Sequence, residues 1–357
     1  MQDNFACPVC AHYSWVKLEK FVYLKTDGIY ASLSRFKHVW RKLKAIGRIL
    51  FFARPRRSAI TCQSLNSHQK LRREVLFNVW FPEKTEIRLD SVYCSKCGFM
   101  TYSPRPTDEN VADKYNYLKQ VETDIDGQTG HDSYSMQLDS ARAKRIYNQC
   151  IGYFGDKKIT VLDYGGGNGK LMASFVGKGH ECYLMDYYDH PIQGVTKICD
   201  DINSCKTGHT FDLIVCSHVL EHVSDISGLV MSLKKRLKPK GIIYAEVPQE
   251  IWAGLRIDAD PVTHINFFTK NSFMSLFLAN GFNILESKQM ISNYGKSYME
   301  VIWVIAQFGD GNRSSILEAD VEPMLYPSRI YSIRKIYNML INPKLKELGK
   351  RYLNKNL

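Results

Sequence analysis

Along the second half of the chain, short apolar runs alternate with polar stretches long enough to hold a helix. Runs at 161–163, 181–186, 211–217 and 241–248 read as short buried strands, and a weaker one ends at Ile198-Cys-Asp-Asp201. Strands alternating with helices predict a parallel, doubly wound sheet. Residues 233–240 read as a helix stopped by Pro239 and Gly241, and 271–279 as another. Two further β-rich runs, 282–291 and 298–308, are joined by so short a turn that they are expected to pair antiparallel. The pattern is that of an α/β domain with a seven-stranded, mostly parallel sheet.

The first run breaks into Asp163-Tyr-Gly-Gly-Gly-Asn-Gly169-Lys170, and Asp186 closes the next run 17 residues past Gly169. Gly165, Gly167 and Gly169 let a backbone approach a ligand without Cβ interference. Asp186 stands where a strand-end carboxylate accepts ribose hydroxyls, with Tyr187 next to it for the adenine face. A dinucleotide fingerprint needs glycine at 170 and meets Lys170. A P-loop needs glycine at 164 and a hydroxyl at 171, where Tyr164 and Leu171 stand. What remains is a loop preceded by a carboxylate that can face a cationic ligand group. Asp163, Gly165, Gly167, Gly169 and Asp186 together resemble motif I of class I S-adenosylmethionine-dependent methyltransferases, and the order of the later segments over about 155–308 agrees. The resemblance implies a Rossmann-like fold, S-adenosylmethionine as cofactor, and Asp200 and Asp201 near the adenine amino group.

At 357 residues and 45% hydrophobic, the chain can hold a catalytic domain and a smaller module. No signal-peptide pattern and no membrane-length apolar run appear. Ten cysteines in that context lead to an expectation of thiols in a cytoplasmic protein. Four are patterned as two knuckles, Cys7-Pro-Val-Cys10 and Cys94-Ser-Lys-Cys97-Gly98, a donor set for one structural zinc ion. The 83 residues between them exceed the usual ribbon spacing. Cys97-Gly-Phe-Met-Thr-Tyr-Ser-Pro-Arg-Pro-Thr107 followed by Tyr115 and Tyr117 resembles the zinc-knuckle module that precedes the catalytic domain in many bacterial methyltransferases of sugar and surface-glycan pathways. The expected organisation is a zinc module over 1–118, a catalytic domain over 119–308, and a linker with a basic helical tail over 309–357.

Charge changes this picture in one place. Between 35 and 73 there are twelve Lys or Arg and no acid, equal to the whole formal net charge of +12. Within it, 35–53 shows a helical repeat with Phe36, Trp40, Leu43 and Phe51 on one side and basic residues beside them. A basic amphipathic helix of that kind suits an anionic membrane interface, and hence a peripheral position on the inner membrane face. Its other reading is packing on the catalytic domain with solvated lysines. The tail from 329 to 357 adds eight basic residues against one acid. Nucleic acid is the competing polyanion, but no nucleic-acid fold signature accompanies the charge, and the fourth strand lacks the segment that amino-methylating nucleic-acid enzymes use to hold a base.

Methyl transfer to a hydroxyl needs alignment and a proton acceptor. His218, Glu221 and His222 follow the fourth strand, with His218 and His222 spaced as one helical turn, and His264 follows the fifth. The family resemblance implies a similar Leu-Glu-His and His-x-x-Phe-Phe-Thr at these positions. Three readings stand: His264, or else His218, as general base; all four residues around a divalent metal; or Glu221 and His222 as braces of the cofactor loop. Arg142 and Arg145 read as a solvated helix face. The expected activity is O-methylation of a sugar in a nucleotide- or lipid-linked glycan. Nucleic-acid or small-molecule methylation, sugar C-methylation, and a non-catalytic docking protein are the alternatives.

Overall fold

A computed structural model of the chain describes residues 4–26, 29–36, 67–122, 133–206, 208–251, 261–293, 298–309 and 316–320. The chain divides into two compact units. The first is Met1–Thr129 with Glu221–Asp225 and Arg256–Phe267, and the second is Gly130–Leu220, Ile226–Leu255 and Phe268–Leu357.

In the first unit, β1 (Trp15–Thr26) and β2 (Ile29–Phe36) form a hairpin. Helix α1 (Ser67–Glu74) and a wider π-type helical stretch, Val75–Trp80, lead into β3 (Glu86–Cys94) and β4 (Met100–Ser103), followed by helix α2 (Asp108–Glu122). Ile87 and Leu89 of β3 are buried while Glu86 and Arg88 are exposed, the period-2 pattern of a sheet with one wet face. Their cross-strand partners Tyr23 and Phe21 lie on the same buried face, so each pair contributes a packed contact.

The second unit starts with helix α3 (Ser133–Cys150) and strand β5 (Thr160–Tyr164). The short helix α4 (Ala173–Val176), β6 (Glu181–Met185), β7 (Val195–Cys199), β8 (Phe211–Ser217), helix α5 (Ile226–Lys235) and β9 (Leu237–Pro248) follow. A two-residue strand, β10 (Asn266–Phe267), pairs with β4 and completes the first unit's antiparallel sheet, ordered β10-β4-β3-β1-β2. Helix α6 (Lys270–Ala279), opened by a Thr269/Ser272 capping box, and strands β11 (Phe282–Asn293) and β12 (Tyr298–Phe308) finish the second unit.

The second sheet has the order β11-β12-β9-β8-β5-β6-β7. β5 through β9 run parallel, and β12 is antiparallel to both neighbours, as expected for the last two strands. This is a Rossmann-like fold with a mixed sheet of seven strands. The central strands are buried on both faces, which is why they read as continuous apolar runs. Val161, Leu213, Val215, Tyr244 and Trp303 form the core with Ile146 and Phe175. α5 buries Ile226, Leu229, Val230 and Leu233, the i, i+3, i+4, i+7 stripe of an amphipathic helix.

Three expectations change. The helix placed at 233–240 ends at Lys235, and residues from Leu237 onward belong to β9, where Leu237 already pairs with Phe211. Gly241 is forced there because a Cβ would meet three carbonyl oxygens, the nearest at 2.9 Å. Arg35 and Phe36 close strand β2 rather than begin a helix, and the rest of the 35–53 segment lies outside the described residues, as does the 329–357 tail. The cysteines are not all thiols, because Cys199 and Cys205 form a disulfide. Among the described residues no helix is long and apolar enough to cross a membrane.

Candidate functional site

Strand β5 is flanked by β6 on one side and β8 on the other, so the strand order reverses at its carboxyl end. A doubly wound sheet opens a ligand crevice at such a point. Asp163, one residue before the end of β5, is fully buried, and neither carboxylate oxygen has a hydrogen-bond partner. Burial pushes it up to about 7, against the pull of Arg142 and with some help from Asp186. A buried orphan carboxylate is costly unless something cationic arrives to meet it. The loop above it is built for close approach, since a Cβ on Gly166 would stand 2.1 Å from the Asp163 carboxyl. Gly167 adopts φ 60° and donates its N–H to Asp186 Oδ2 at 2.8 Å, while the Tyr188 N–H donates to Oδ1 at 2.8 Å. Asp186 is thereby fixed at the carboxyl end of β6, with Tyr187 beside it and 57% exposed. Gly165 and Gly169 flank the turn, the former donating to the Met185 carbonyl at 2.9 Å.

The residues present fit S-adenosylmethionine: a buried anion under a glycine crossing, then a second anchored carboxylate one strand away. Asp200 and Asp201 lie beyond β7. Asp200 pairs with Lys197 at 2.7 Å, and Asp201 caps its own turn by accepting from the Asn203 and Ser204 amides. The Asp186 N–H donates to the Cys199 carbonyl at 3.2 Å, tying the disulfide-closed 199–205 turn to the adjacent strand end.

A second cluster surrounds Glu246 of β9, which is fully buried. Its Oε2 accepts from Arg145 at 2.6 Å and from the Tyr244 hydroxyl at 2.8 Å. Its Oε1 accepts from Ser217 at 3.3 Å and Arg142 Nε at 3.3 Å, and lies 3.5 Å from His218 Nε2. Burial alone would raise this carboxyl, but His218, Arg145 and Arg142 outweigh it and hold it well below the usual range. Arg142 and Arg145 are therefore not a solvated face. They are the cations that make a buried carboxylate tolerable. His218 follows β8 with φ 60°, a left-handed conformation pinned by its N–H to the Glu246 carbonyl at 2.8 Å. Residues 218–225 form no helix; α5 begins at Ile226, so His218 and His222 are not stacked one helical turn apart.

In the first unit the two cysteine knuckles meet. Cys7 Sγ and Cys97 Sγ lie 3.6 Å apart, Cys10 Sγ and Cys94 Sγ 3.5 Å apart, and all four sulfurs lie within 4.8 Å of one another. Thiolates about 2.3 Å from a tetrahedral zinc stand about 3.8 Å from each other, so the cage has the size of that ion. The long spacing in sequence is harmless because Trp15 pairs with Cys94, which sets the start of β1 beside the end of β3. Gly98, at φ 83°, turns the second knuckle and donates to the Cys94 carbonyl. Hydrogen bonds among the four sulfurs, with burial adding to them, push Cys7 and Cys97 up, while the same bonds pull Cys10 down.

The first unit also holds Glu221, His222 and His264, whose ligand atoms lie within 4.8 Å of one another. Glu221 is fully buried, and burial pushes His222 down to about 4, against the pull of Glu221. His218 belongs to the other unit with Glu246, so the four residues read together in the sequence divide into two sets. Arg142, Arg145, Ser217, Tyr244, Glu246 and Gly166 were not among the expected site residues. An acid inside the apolar strand Gly241-Ile-Ile-Tyr-Ala-Glu-Val247 was the available signal for Glu246.

Residues 136–287 match a family model described as a methyltransferase domain. Among curated proteins, the ubiquinone biosynthesis O-methyltransferase of Proteus mirabilis is 27% identical over 150 residues, 38% of this chain and 59% of that protein. The Rickettsia canadensis protein of the same description is 22% identical over 117 residues, 29% and 50% of the two chains. The chain thus spans about half the length of the curated relatives it matches. Of solved structures, the Burkholderia thailandensis 1,6-didemethyltoxoflavin-N1-methyltransferase with bound S-adenosylhomocysteine is 18% identical with a TM-score of 0.46, over 62% of this chain and 96% of that one. The [4+2]-cyclase SpnF is 16% identical with a TM-score of 0.43, over 58% and 98%. The matched range runs from within helix α3 to within strand β11 and takes in the glycine loop after β5.

Proposed function

We propose that the protein is an S-adenosylmethionine-dependent methyltransferase that methylates a sugar hydroxyl of a nucleotide- or lipid-linked glycan. The observation that carries the cofactor is the orphan Asp163 carboxylate beneath Gly166. When bound, the cofactor supplies an electrophilic methyl on a sulfonium. Asp163 faces its cationic methionine portion, and Asp186 accepts from the ribose hydroxyls. The proton acceptor is His218, whose Nε2 proton is oriented by Glu246, leaving the Nδ1 lone pair for the substrate hydroxyl. The proximity of His264 to Glu221 and His222 supports a different role for this other base candidate.

The glycan reading rests on the Cys97-Gly98 to Pro106 resemblance, and zinc on the sulfur cage. The basic 35–73 segment suits docking on an anionic membrane on its inner face, near a lipid-linked acceptor. Nucleic acid stays the weaker partner. A second reading, a phenolic hydroxyl of a quinone precursor, is favoured by the relatives described as ubiquinone biosynthesis O-methyltransferases.

Calorimetry with S-adenosylhomocysteine tests the cofactor, and the absence of binding by well-folded protein refutes the proposal. Labelled methyl donor, incubated with glycan precursors, phenolic quinone precursors and RNA and followed by mass spectrometry, separates the acceptors. Replacing His218 by Ala is expected to lower turnover by about 10²–10⁴-fold with cofactor affinity retained.

A further inference from the structure

We infer that Glu221, His222 and His264 bind a divalent transition-metal ion, forming a second metal centre distinct from the four-cysteine cage. The His222 ring fixes the argument. Its Nδ1 lies 2.7 Å from the Thr263 carbonyl oxygen, which can only accept, so the Nδ1 carries a hydrogen. In a neutral ring the Nε2 then presents a lone pair. That lone pair sits 3.9 Å from Glu221 Oε1. A carboxylate oxygen and an imidazole nitrogen, both metal-ligating atom types, thus stand at a separation that a single bound cation can bridge.

The third donor completes the set. The His264 ring packs against His222 with centroids 4.8 Å apart and planes inclined by 64°, so the two imidazoles are not stacked. One ligand atom from each of the three residues lies within 4.8 Å of the other two. Ligands about 2.1 Å from a tetrahedral ion stand about 3.4 Å apart, so metal binding has to draw the widest pair in by up to about 1.4 Å.

The backbone holding these donors is latched in advance. The amides of Ile265 and Asn266 both donate to the Glu221 carbonyl, at 2.9 and 3.1 Å. The Asn266 side chain donates to the Val223 carbonyl at 2.6 Å. Arg105, only 4% exposed, donates to the Ser224 carbonyl, Asn266 Oδ1 and Thr101. The turn carrying Glu221 and His222 and the turn carrying His264 are thus one rigid piece, and the Thr263 carbonyl orients a metal-ligating histidine as outer-shell groups do. Two imidazoles and one carboxylate favour zinc, iron, cobalt or nickel over magnesium or calcium, and three protein ligands leave a coordination position open.

The assignment does not rest on the methyl-transfer reading, and its test does not use turnover. The full-length chain, purified without a histidine tag, is stripped of metal and then loaded with Co²⁺. Two equivalents per chain by plasma mass spectrometry are expected. One equivalent gives the intense near-ultraviolet charge-transfer band of a tetrathiolate site, and the other gives only weak ligand-field bands. Glu221→Gln and His264→Gln should each drop the count from two to one and keep the charge-transfer band. A wild-type count of one, or a count of two in both variants, overturns the centre. Should the variants fail to fold, anomalous scattering from Co²⁺-loaded wild-type crystals decides: a peak among these three side chains supports the centre, and no peak there overturns it.

Discussion

The backbone of Gly166 lies across the Asp163 carboxylate so closely that a Cβ at 166 would be 2.1 Å from it. Neither carboxylate oxygen has a hydrogen-bond partner among the described residues. The glycine is needed for close passage rather than for an unusual φ, which separates it from Gly165, Gly167 and Gly169 with their positive φ values. An anion kept dry and unmatched is a site organised for a charge that arrives with the ligand.

Asp163→Asn is expected to stabilise the ligand-free protein and abolish cofactor binding. The wild-type carboxyl titrates at about 7 when folded, far above its unfolded value, because burial penalises the charge. Between roughly pH 4 and 7 the folded state therefore holds a proton that the unfolded state has lost, and stability falls as pH rises through that window. The full difference is on the order of 4 kcal/mol. Urea denaturation at pH 5 and pH 8 should show the wild type losing stability across the interval and the variant changing less. Calorimetry should show S-adenosylhomocysteine affinity rising with pH in the wild type and no measurable binding in the variant.

Glu246→Gln should destabilise the protein by about 3–5 kcal/mol, because removing one partner of a buried ion cluster leaves the others uncompensated. Arg145 at 2.6 Å loses its closest anion, and His218 loses the group that orients it. The sign with pH is opposite to that of Asp163. A carboxyl depressed by its partners adds stability above its unfolded value and loses it as pH falls below that value. Thermal melts from pH 7 down to pH 3 should show a shallower acid-side decline in the variant, and turnover should drop even where it is folded.

The parts of this architecture visible in the letters were those set by local periodicity. Strands β5, β6, β8 and β12 are continuous apolar runs, and Asp163, the glycines and Asp186 sit at the breaks between them. The pairing of Trp15 with Cys94 was not visible, since nothing local to either residue encodes a contact across such a separation. Pro239 and Gly241 correctly marked a change of structure, but breakers do not say on which side the helix lies, and Lys238 to Lys240 turned out to be the start of β9. His218, Glu221 and His222 looked like one cluster because a helix was assumed under them. The left-handed turn at His218 sends it to Glu246 instead. The Cys199–Cys205 bridge was not legible either, because an argument from compartment does not say which two cysteines a short turn brings together.

Metal removal should act on the first unit selectively. Trp15 donates to the Phe5 carbonyl at 2.8 Å and packs on Phe5 and Phe99, all beside the knuckles. A strong chelator, or Cys94→Ser with Cys97→Ser, should therefore collapse the near-ultraviolet dichroism and shift tryptophan emission to the red. Structural zinc contributes folding free energy directly in small modules of this kind. Calorimetric scans should show one transition lost or lowered while the other persists, and S-adenosylhomocysteine should still protect the surviving one. Unchanged near-ultraviolet spectra after complete chelation would refute a structural ion at the four cysteines.

Arg105 offers the sharpest test of how the first unit holds its two returning segments. Its guanidinium is buried enough that desolvation pulls it down to about 10, yet it stays charged at neutral pH and spreads its donors over Thr101, Asn266 and the Ser224 carbonyl. Its plane also lies 5.7 Å from the centre of the Phe99 ring, behind the second knuckle. A lysine keeps the charge but cannot reproduce a planar fork with donors in several fixed directions. Arg105→Lys should cost about 2–4 kcal/mol, because it leaves buried acceptors without donors. Hydrogen exchange is the discriminating measurement. The Ile265 and Asn266 amides, both bonded to the Glu221 carbonyl, should lose protection in the variant while β5 and β8 keep theirs. Equal loss across both units would mean that Arg105 acts on global stability rather than as the latch of these two turns.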